Sequence, residues 1–199
     1  MSTIYYTDIT ALPEDISPLL TRLSDRRRRQ LWALVGEKSR RRCLASGLLL
    51  KEVLGSDDVA LSEFGKPTLP GGSPFSLAHS GDYVVLAVSS GPVGVDIEKH
   101  RPLRFFELTA RFFAAERACA DSLSAFFDLW TAKEALAKML GVGLALSMRR
   151  YVLEKRDGNY ISLAFPDAVF TSLSLLPDYS MTLCCEEPYD GRLIRINLN

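Results

Sequence analysis

The 199-residue sequence predicts an α+β fold built from two related halves, each a long helix packed on a small antiparallel sheet. Three observations lead there. Helical apolar periodicity recurs over about Ser39–Leu54 and again over Ser122–Leu140, and a glycine, Gly55 or Gly141, stops each run. Short runs of β-formers separated by Gly and Pro follow both helices. Finally, one order of elements appears twice. Leu48–Gly55 precedes Asp82-Tyr83-Val84-Val85-Leu86, and Leu136–Gly141 precedes Asp178-Tyr179-Ser180-Met181-Thr182-Leu183. Two copies alone leave duplication and coincidence both open.

Taken in order, Ser24 caps a first helix carrying Arg26–Arg29 and then Leu31, Trp32, Leu34 and Val35. The Ser39–Leu54 helix follows, with Leu44, Leu48 and Leu49 as its core stripe. Strands are expected at Val59–Phe64, Pro74–His79, Tyr83–Ser89 and Pro92–Glu98. Helical periodicity returns over Leu103–Phe113 and Ser122–Leu140. The tail offers strands at Arg150–Lys155, Tyr160–Phe165, Ala168–Leu175 and Tyr179–Glu186. The expected division is 1–92 and 93–199.

Composition narrows the function classes. Lys plus Arg is 24 and Asp plus Glu is 24, so the net charge of zero argues against a nucleic-acid binder. No apolar run approaches the roughly 20 residues of a membrane span, and Met1–Tyr6 has no secretory pattern. Cys43, Cys119, Cys184 and Cys185 form no C-x-x-C pair, which leaves zinc unsupported and suggests a reducing, cytoplasmic setting. Charge is unevenly placed. Nine basic residues between Arg22 and Arg42 face only Asp25 and Glu37, most simply as solvated helix faces. Four consecutive arginines span a full turn and cannot all address one ligand.

Three stretches carry candidate chemistry. In Gly94-Val95-Asp96-Ile97-Glu98, strand alternation puts Asp96 and Glu98 on one face and Val95 and Ile97 on the other. Two carboxylates about 7 Å apart on a strand repel unless solvated, paired or bridged by a hard cation such as Mg2+. In Trp130-Thr131-Ala132-Lys133-Glu134-Ala135-Leu136-Ala137-Lys138, residues 130, 134 and 138 share a stripe, and the tryptophan argues that this stripe borders a cleft. A plain i,i+4 surface pair is the alternative. In Phe75-Ser76-Leu77-Ala78-His79-Ser80-Gly81-Asp82, His79 stands where a strand meets a turn, able to present its ring to phosphate or to serve the structure alone. His100, between Lys99 and Arg101, reads as surface. Phe64-Gly65-Lys66-Pro67 is a turn displaying a lysine.

The order of these motifs, with Arg111-Phe112-Phe113 leading to Glu116, resembles the 4'-phosphopantetheinyl transferases, and the two-halved type similar to the surfactin-synthetase activator more than the short trimeric type. The resemblance runs from the arginine helix to about Gly143, with a looser strand match at Tyr179–Cys185. It implies that coenzyme A lies between the halves and gives its phosphopantetheine to a serine of an apo acyl, polyketide or peptidyl carrier protein, releasing 3',5'-ADP. By motif position it implies Asp96, Glu98 and Glu134 as magnesium ligands, Lys138 beside the leaving group, Lys133 as a helper and Glu116 as general base. Arg27, Arg42 and His79 match residues around the 3'-phosphate of coenzyme A, and Lys66, Pro67, Ser76, Leu77 and Ala78 match its adenosine pocket. A monomer is expected, since both halves lie in one chain.

The chain departs from the pattern at Gln30, where a second basic residue is common and Arg29 would substitute, and at Ala78, often serine. Val142 stands where lysine is common, and the Glu116–Trp130 segment is short, which bears on carrier preference. Two rival readings stay open on sequence alone: a non-catalytic coenzyme A or carrier-binding module, and a phosphodiesterase that uses water in place of serine.

Overall fold

The computed structural model describes residues 1–110, 112–142 and 151–198. Arg111, Gly143 and Arg150, which belong to motifs or strands expected above, lie outside the described residues. The elements run β1 (Ser2–Asp8), a 3-10 turn (Ile9–Ala11), α1 (Ser17–Leu20), α2 (Asp25–Ala33), α3 (Glu37–Leu54), β2 (Ala60–Leu61), β3 (Pro67–Thr68), β4 (Phe75–Ser80), β5 (Tyr83–Val88) and β6 (Val93–Lys99). They continue with α4 (Phe105–Thr109), α5 (Ala114–Arg117), α6 (Leu123–Leu140), β7 (Leu153–Arg156), β8 (Asn159–Ser162), β9 (Val169–Leu173), β10 (Tyr179–Cys185) and β11 (Tyr189–Arg195).

Several helix ends fall where local chemistry dictates. Ser24 Oγ accepts from Arg27 N at 3.2 Å to open α2, and Ser122 Oγ accepts from Ala125 N at 3.2 Å to open α6. Gly55 and Gly141 close α3 and α6 with φ of 80° and 70°, a conformation that a side chain resists. Two expected elements come out shorter. The Val59–Phe64 run keeps only β2, because its exposed residues pair with nothing but β3. The Leu103–Phe113 helix keeps only α4. Strands β1 and β11 were not anticipated.

Two sheets organise the molecule. In the first, the order is β11-β1-β5-β4, antiparallel except for the parallel β11–β1 pair. In the second, the order is β6-β10-β9, antiparallel throughout. Helix α3 covers the outer face of the first sheet, where Leu44, Leu48 and Leu49 meet Phe75, Val84 and Leu86. Helix α6 covers the second, where Leu129, Ala132 and Leu136 meet Phe170 and Cys184. Between the sheets, Ile4, Ala78, Val85 and Ala87 pack against Val95, Ile97, Met181 and Leu183. Each such leucine or isoleucine taken fully from water contributes roughly 1.5–3 kcal/mol. The sheets are also bonded: Ser76 Oγ and Ser80 Oγ of β4 accept from Val95 N and Lys99 N of β6, both at 3.0 Å.

Gly94 sets how closely α6 lies on β6. A Cβ there would stand 1.9 Å from Ala135 O and 2.5 Å from Met139 N, both backbone atoms of the helix. The tail crosses the expected 92/93 division, because β11 completes the first sheet and Leu198 enters the first core.

The basic stretch is not simply a pair of solvated faces. Arg26 donates to Val59 O, Arg28 to Leu20 O and Leu23 O, Arg41 to Ile9 O and Leu12 O, and Arg42 to Gly81 O. These guanidiniums tie loop carbonyls to α2 and α3, so several arginines are structural. His100 is half-buried rather than a freely exposed surface residue. Its ring stacks on Phe127 at 5.0 Å, and Nε2 lies 2.8 Å from Ser180 Oγ.

Candidate active site

Close approach at Gly94 carries α6 side chains onto the polar edge of β6. Asp96 is 7% exposed and Glu134 5% exposed, so neither is the solvated acid of a strand end or surface helix. Lys138 Nζ donates to Asp96 Oδ1 at 2.6 Å and to Val95 O at 3.1 Å. Glu98, half-buried, accepts from Ser80 Oγ at 2.7 Å and from Arg101 at 3.4 Å. Asp96 Oδ2 and Glu134 Oε1 are buried with no hydrogen-bond partner among the described residues.

Those bare oxygens have electrostatic consequences. Burial pushes the Asp96 carboxyl up to about 6 against the pull of Lys138, with Glu98 adding repulsion. Burial pushes Glu134 up to about 7, and the charge of Asp96 adds to it. Three carboxylates thus feel one another around one ammonium.

Among the described residues, no three His, Cys, Asp or Glu side chains already converge as a metal-holding group. The donor chemistry nonetheless suits a hard divalent cation: two orphaned, mutually repelling carboxylate oxygens with a third carboxylate beside them.

Glu134 and Lys138 line a cleft of about 210 Å³ together with Phe64, Gly65, Lys66 and Pro67 of the turn and Phe75, Ser76 and Leu77 of β4. Lys66 Nζ donates to Val93 O at 3.2 Å and Met139 O at 3.1 Å. Ala78, expected in the same pocket, instead points into the core between the sheets. Alongside lies a second pocket of about 360 Å³, lined by Arg27, Arg42 and His79 together with Gln30, Cys43 and Ser46. Desolvation and the charge of Arg42 push the His79 imidazole below its ordinary value. Arg27 also lines this pocket; its Nη2 donates to Asp57 O at 3.3 Å, and its Nε is buried with no partner among the described residues.

Two expected catalytic residues are not brought to the cleft. Glu116 is fully buried and Lys133 is 2% exposed, and their Oε1 and Nζ lie 2.5 Å apart. Glu116 also accepts from Leu153 N and Phe113 N, and Lys133 donates to Tyr151 O. All of this ties α5 and β7 to α6, on a face away from Glu134. Trp130 is likewise half-buried against Phe112 and Phe126 rather than on the cleft wall.

Residues 92–184 match the 4'-phosphopantetheinyl transferase superfamily. The chain is similar to 4'-phosphopantetheinyl transferase AcpT of Salmonella typhi, 32% identical over 73% of this chain and 77% of that protein. The chain belongs to the 4'-phosphopantetheinyl transferase superfamily. It is also similar to 4'-phosphopantetheinyl transferase Sfp of Bacillus subtilis, 27% identical over 92% of this chain and 91% of that one. Similarity to 4'-phosphopantetheinyl transferase psf-1 of Bacillus pumilus is 36% over 61% of this chain and 57% of that one.

For a phosphopantetheinyl transferase, sequence reading missed three contributors to this site. Ser80 holds Glu98, Gly94 seats α6, and Tyr179 supports the turn after His79, its hydroxyl accepting from Asp82 N at 3.1 Å. Only the second left a signal, a glycine in a strand whose core-facing positions are Val93, Val95 and Ile97. No helix among the described residues is long and apolar enough to cross a membrane.

Proposed function

We propose that the cleft between the Phe64–Pro67 turn and α6 binds coenzyme A with magnesium, and that the protein transfers 4'-phosphopantetheine from it to a serine of an apo carrier protein. The observation that carries this reading is the pair of buried, unpartnered oxygens, Asp96 Oδ2 and Glu134 Oε1, beside the Lys138 ammonium and open to a cleft. Carboxylates buried bare are costly, and they persist where a cation offsets them. Binding alone would not require three.

In the transfer, the serine oxygen bonds to the pantetheine-side phosphorus, and the bond from that phosphorus to the bridging oxygen breaks. The electron pair leaves on 3',5'-ADP. Asp96, Glu98 and Glu134 would hold the ion, whose charge offsets the negative charge developing on the pyrophosphate. Lys138 places its ammonium beside the same oxygens. The hydroxyl proton would leave to solvent water at the mouth of the cleft, since Glu116, sealed in its ion pair, has no opening as a base. Arg27 and His79 receive the 3'-phosphate, and Pro67, Ser76 and Leu77 wall the adenosine. Arg42, although committed to Gly81 O, adds its charge to that pocket.

The two halves, 1–92 and 93–199, are read as diverged copies, with β11 of the second half crossing over to join the first sheet. Strand, helix, hairpin is the order of β1, α3, β4, β5 and of β6, α6, β9, β10, and the sheet orders β1-β5-β4 and β6-β10-β9 correspond. The Asp-Tyr-led strands occupy both centres, and Tyr83 meets Tyr179 edge-on at 5.2 Å. Both walls of the cleft come from one chain, which supports a working monomer. Four cysteines, none in a disulfide among the described residues, suit a reducing compartment such as the cytoplasm.

The test is mass spectrometry of apo fatty-acid, polyketide and peptide-synthetase carriers incubated with coenzyme A and the protein, with and without magnesium. Gain of one phosphopantetheine on a carrier, only with metal, is expected. No mass change across the panel, or release of 3',5'-ADP from coenzyme A with no carrier present, would overturn the transferase reading.

A further inference from the structure

The β2–β3 hairpin bearing Phe64-Gly65-Lys66-Pro67 is a two-stranded sheet bonded to neither main sheet. Its own turn is closed without the lysine side chain: Ser62 N donates to Lys66 O, Gly65 N to Ser62 O, and Lys66 N to Ser62 Oγ, at 2.9, 2.9 and 3.0 Å. Something else must set its distance from α6, and Lys66 is placed to do so. Its ammonium reaches Met139 O in the last turn of α6 and Val93 O at the start of β6. Met139 O is one of the carbonyls that a helix end leaves without an internal partner. Neighbouring Ala137 O and Lys138 O are taken by the backbone N–H groups of Gly141 and Val142, so the lysine completes the cap from another segment. The carbonyls it grips open the strand of Asp96 and end the helix of Glu134 and Lys138.

We infer that Lys66 is a positioning residue: by holding the Phe64–Pro67 turn to the end of α6, it sets the width of the coenzyme A cleft, and it does not serve as a phosphate-binding cation. The inference rests on the cleft being the coenzyme A site. Two of the three ammonium protons are committed to carbonyls, and the stem lies across Gly141, whose Cα would carry a Cβ 3.4 Å from Lys66 Cδ.

The experiment compares wild type, Lys66→Met and Lys66→Arg for carrier modification and for 3',5'-ADP binding as salt is raised. With Lys66→Met, KM for coenzyme A is expected to rise about tenfold, the scale of a lost charged hydrogen bond, while kcat changes less than about threefold. The slope of log Kd for 3',5'-ADP against log salt should match wild type, since no phosphate contact is lost. Lys66→Arg, which keeps two donors, should recover most of KM. A salt dependence clearly weaker in Lys66→Met than in wild type would overturn the inference and make Lys66 a phosphate ligand. An unchanged KM, or arginine no better than methionine, would overturn it too. Wild type failing to modify any carrier would instead overturn the functional reading.

Discussion

Lys138 on α6 grips a single oxygen of Asp96 on β6, Nζ to Oδ1 at 2.6 Å, and leaves the other oxygen bare and buried. The pair is therefore half an ion pair and half an open ligand. Asp96→Ala is expected to lower carrier modification by more than about a hundredfold, because a metal-ligand interaction worth several kcal/mol is removed. The fold should persist, since Asp96 packs against no apolar core. Near-normal turnover in that variant would remove Asp96 from the metal site.

Protonation gives a second expectation. The Asp96 carboxyl rises from 3.8 to about 6 on folding, so the folded chain holds that proton more tightly than the unfolded chain. Its destabilising effect is absent below about 3.8 and complete above about 6, and Glu134, raised to about 7, extends the window upward. Metal-free wild type should therefore gain melting temperature between pH 7.5 and 5 relative to Asp96→Asn, whose amide does not titrate. Magnesium at pH 7.5 should close that gap. Parallel melting curves for the two proteins across this range would contradict the assignment.

Gly94→Ala should be severe for so small a change. The added methyl would meet the backbone of α6 at 1.9 Å, and a helix cannot yield there without withdrawing Glu134 and Lys138 from β6. Overpacking of this kind costs roughly 1–3 kcal/mol or more. Urea denaturation should show a lower midpoint, with activity lost even where the protein is folded; an unchanged midpoint would mean that α6 is free to shift.

Glu116→Gln should act on stability before chemistry. Leaving Lys133 buried without its carboxylate costs roughly 3–5 kcal/mol, whereas replacing both partners by well-packed neutral residues is often tolerated. Glu116→Gln combined with Lys133→Met is expected to recover much of the midpoint and of the activity. A double variant that is stable yet inactive would return Glu116 to the general-base role.

Trp130→Ala is expected to cost about 1–3 kcal/mol, below the range for a fully buried tryptophan, because its ring is only partly covered by Phe112 and Phe126. A thermal denaturation series settles the size, and a loss above about 4 kcal/mol would place the ring in the core.

Much of this was legible in the chain because its causes are local. Ser24, Ser122, Gly55 and Gly141 mark helix ends by chemistry within four residues, and the alternation of Val95 and Ile97 with Asp96 and Glu98 is a property of any strand. What escaped depends on segments far apart in sequence. Whether Arg28 or Arg41 is solvated depends on which loop carbonyls fold over it, and the burial of Glu116 with Lys133 depends on α5 and β7 closing on α6. The same holds for Lys66, an exposed-looking turn lysine until α6 and β6 bring two carbonyls to it.

Strand β11 lies parallel to β1 at the edge of the first sheet, nearly the whole chain apart in sequence. During translation, β1 would leave the ribosome early and wait with an open edge until residues 189–195 emerge, an interval in which another nascent chain has the same geometry to offer. Growth conditions that slow elongation between the codons for β10 and β11 should for that reason favour aggregation over correct assembly, whatever the stability of the finished enzyme.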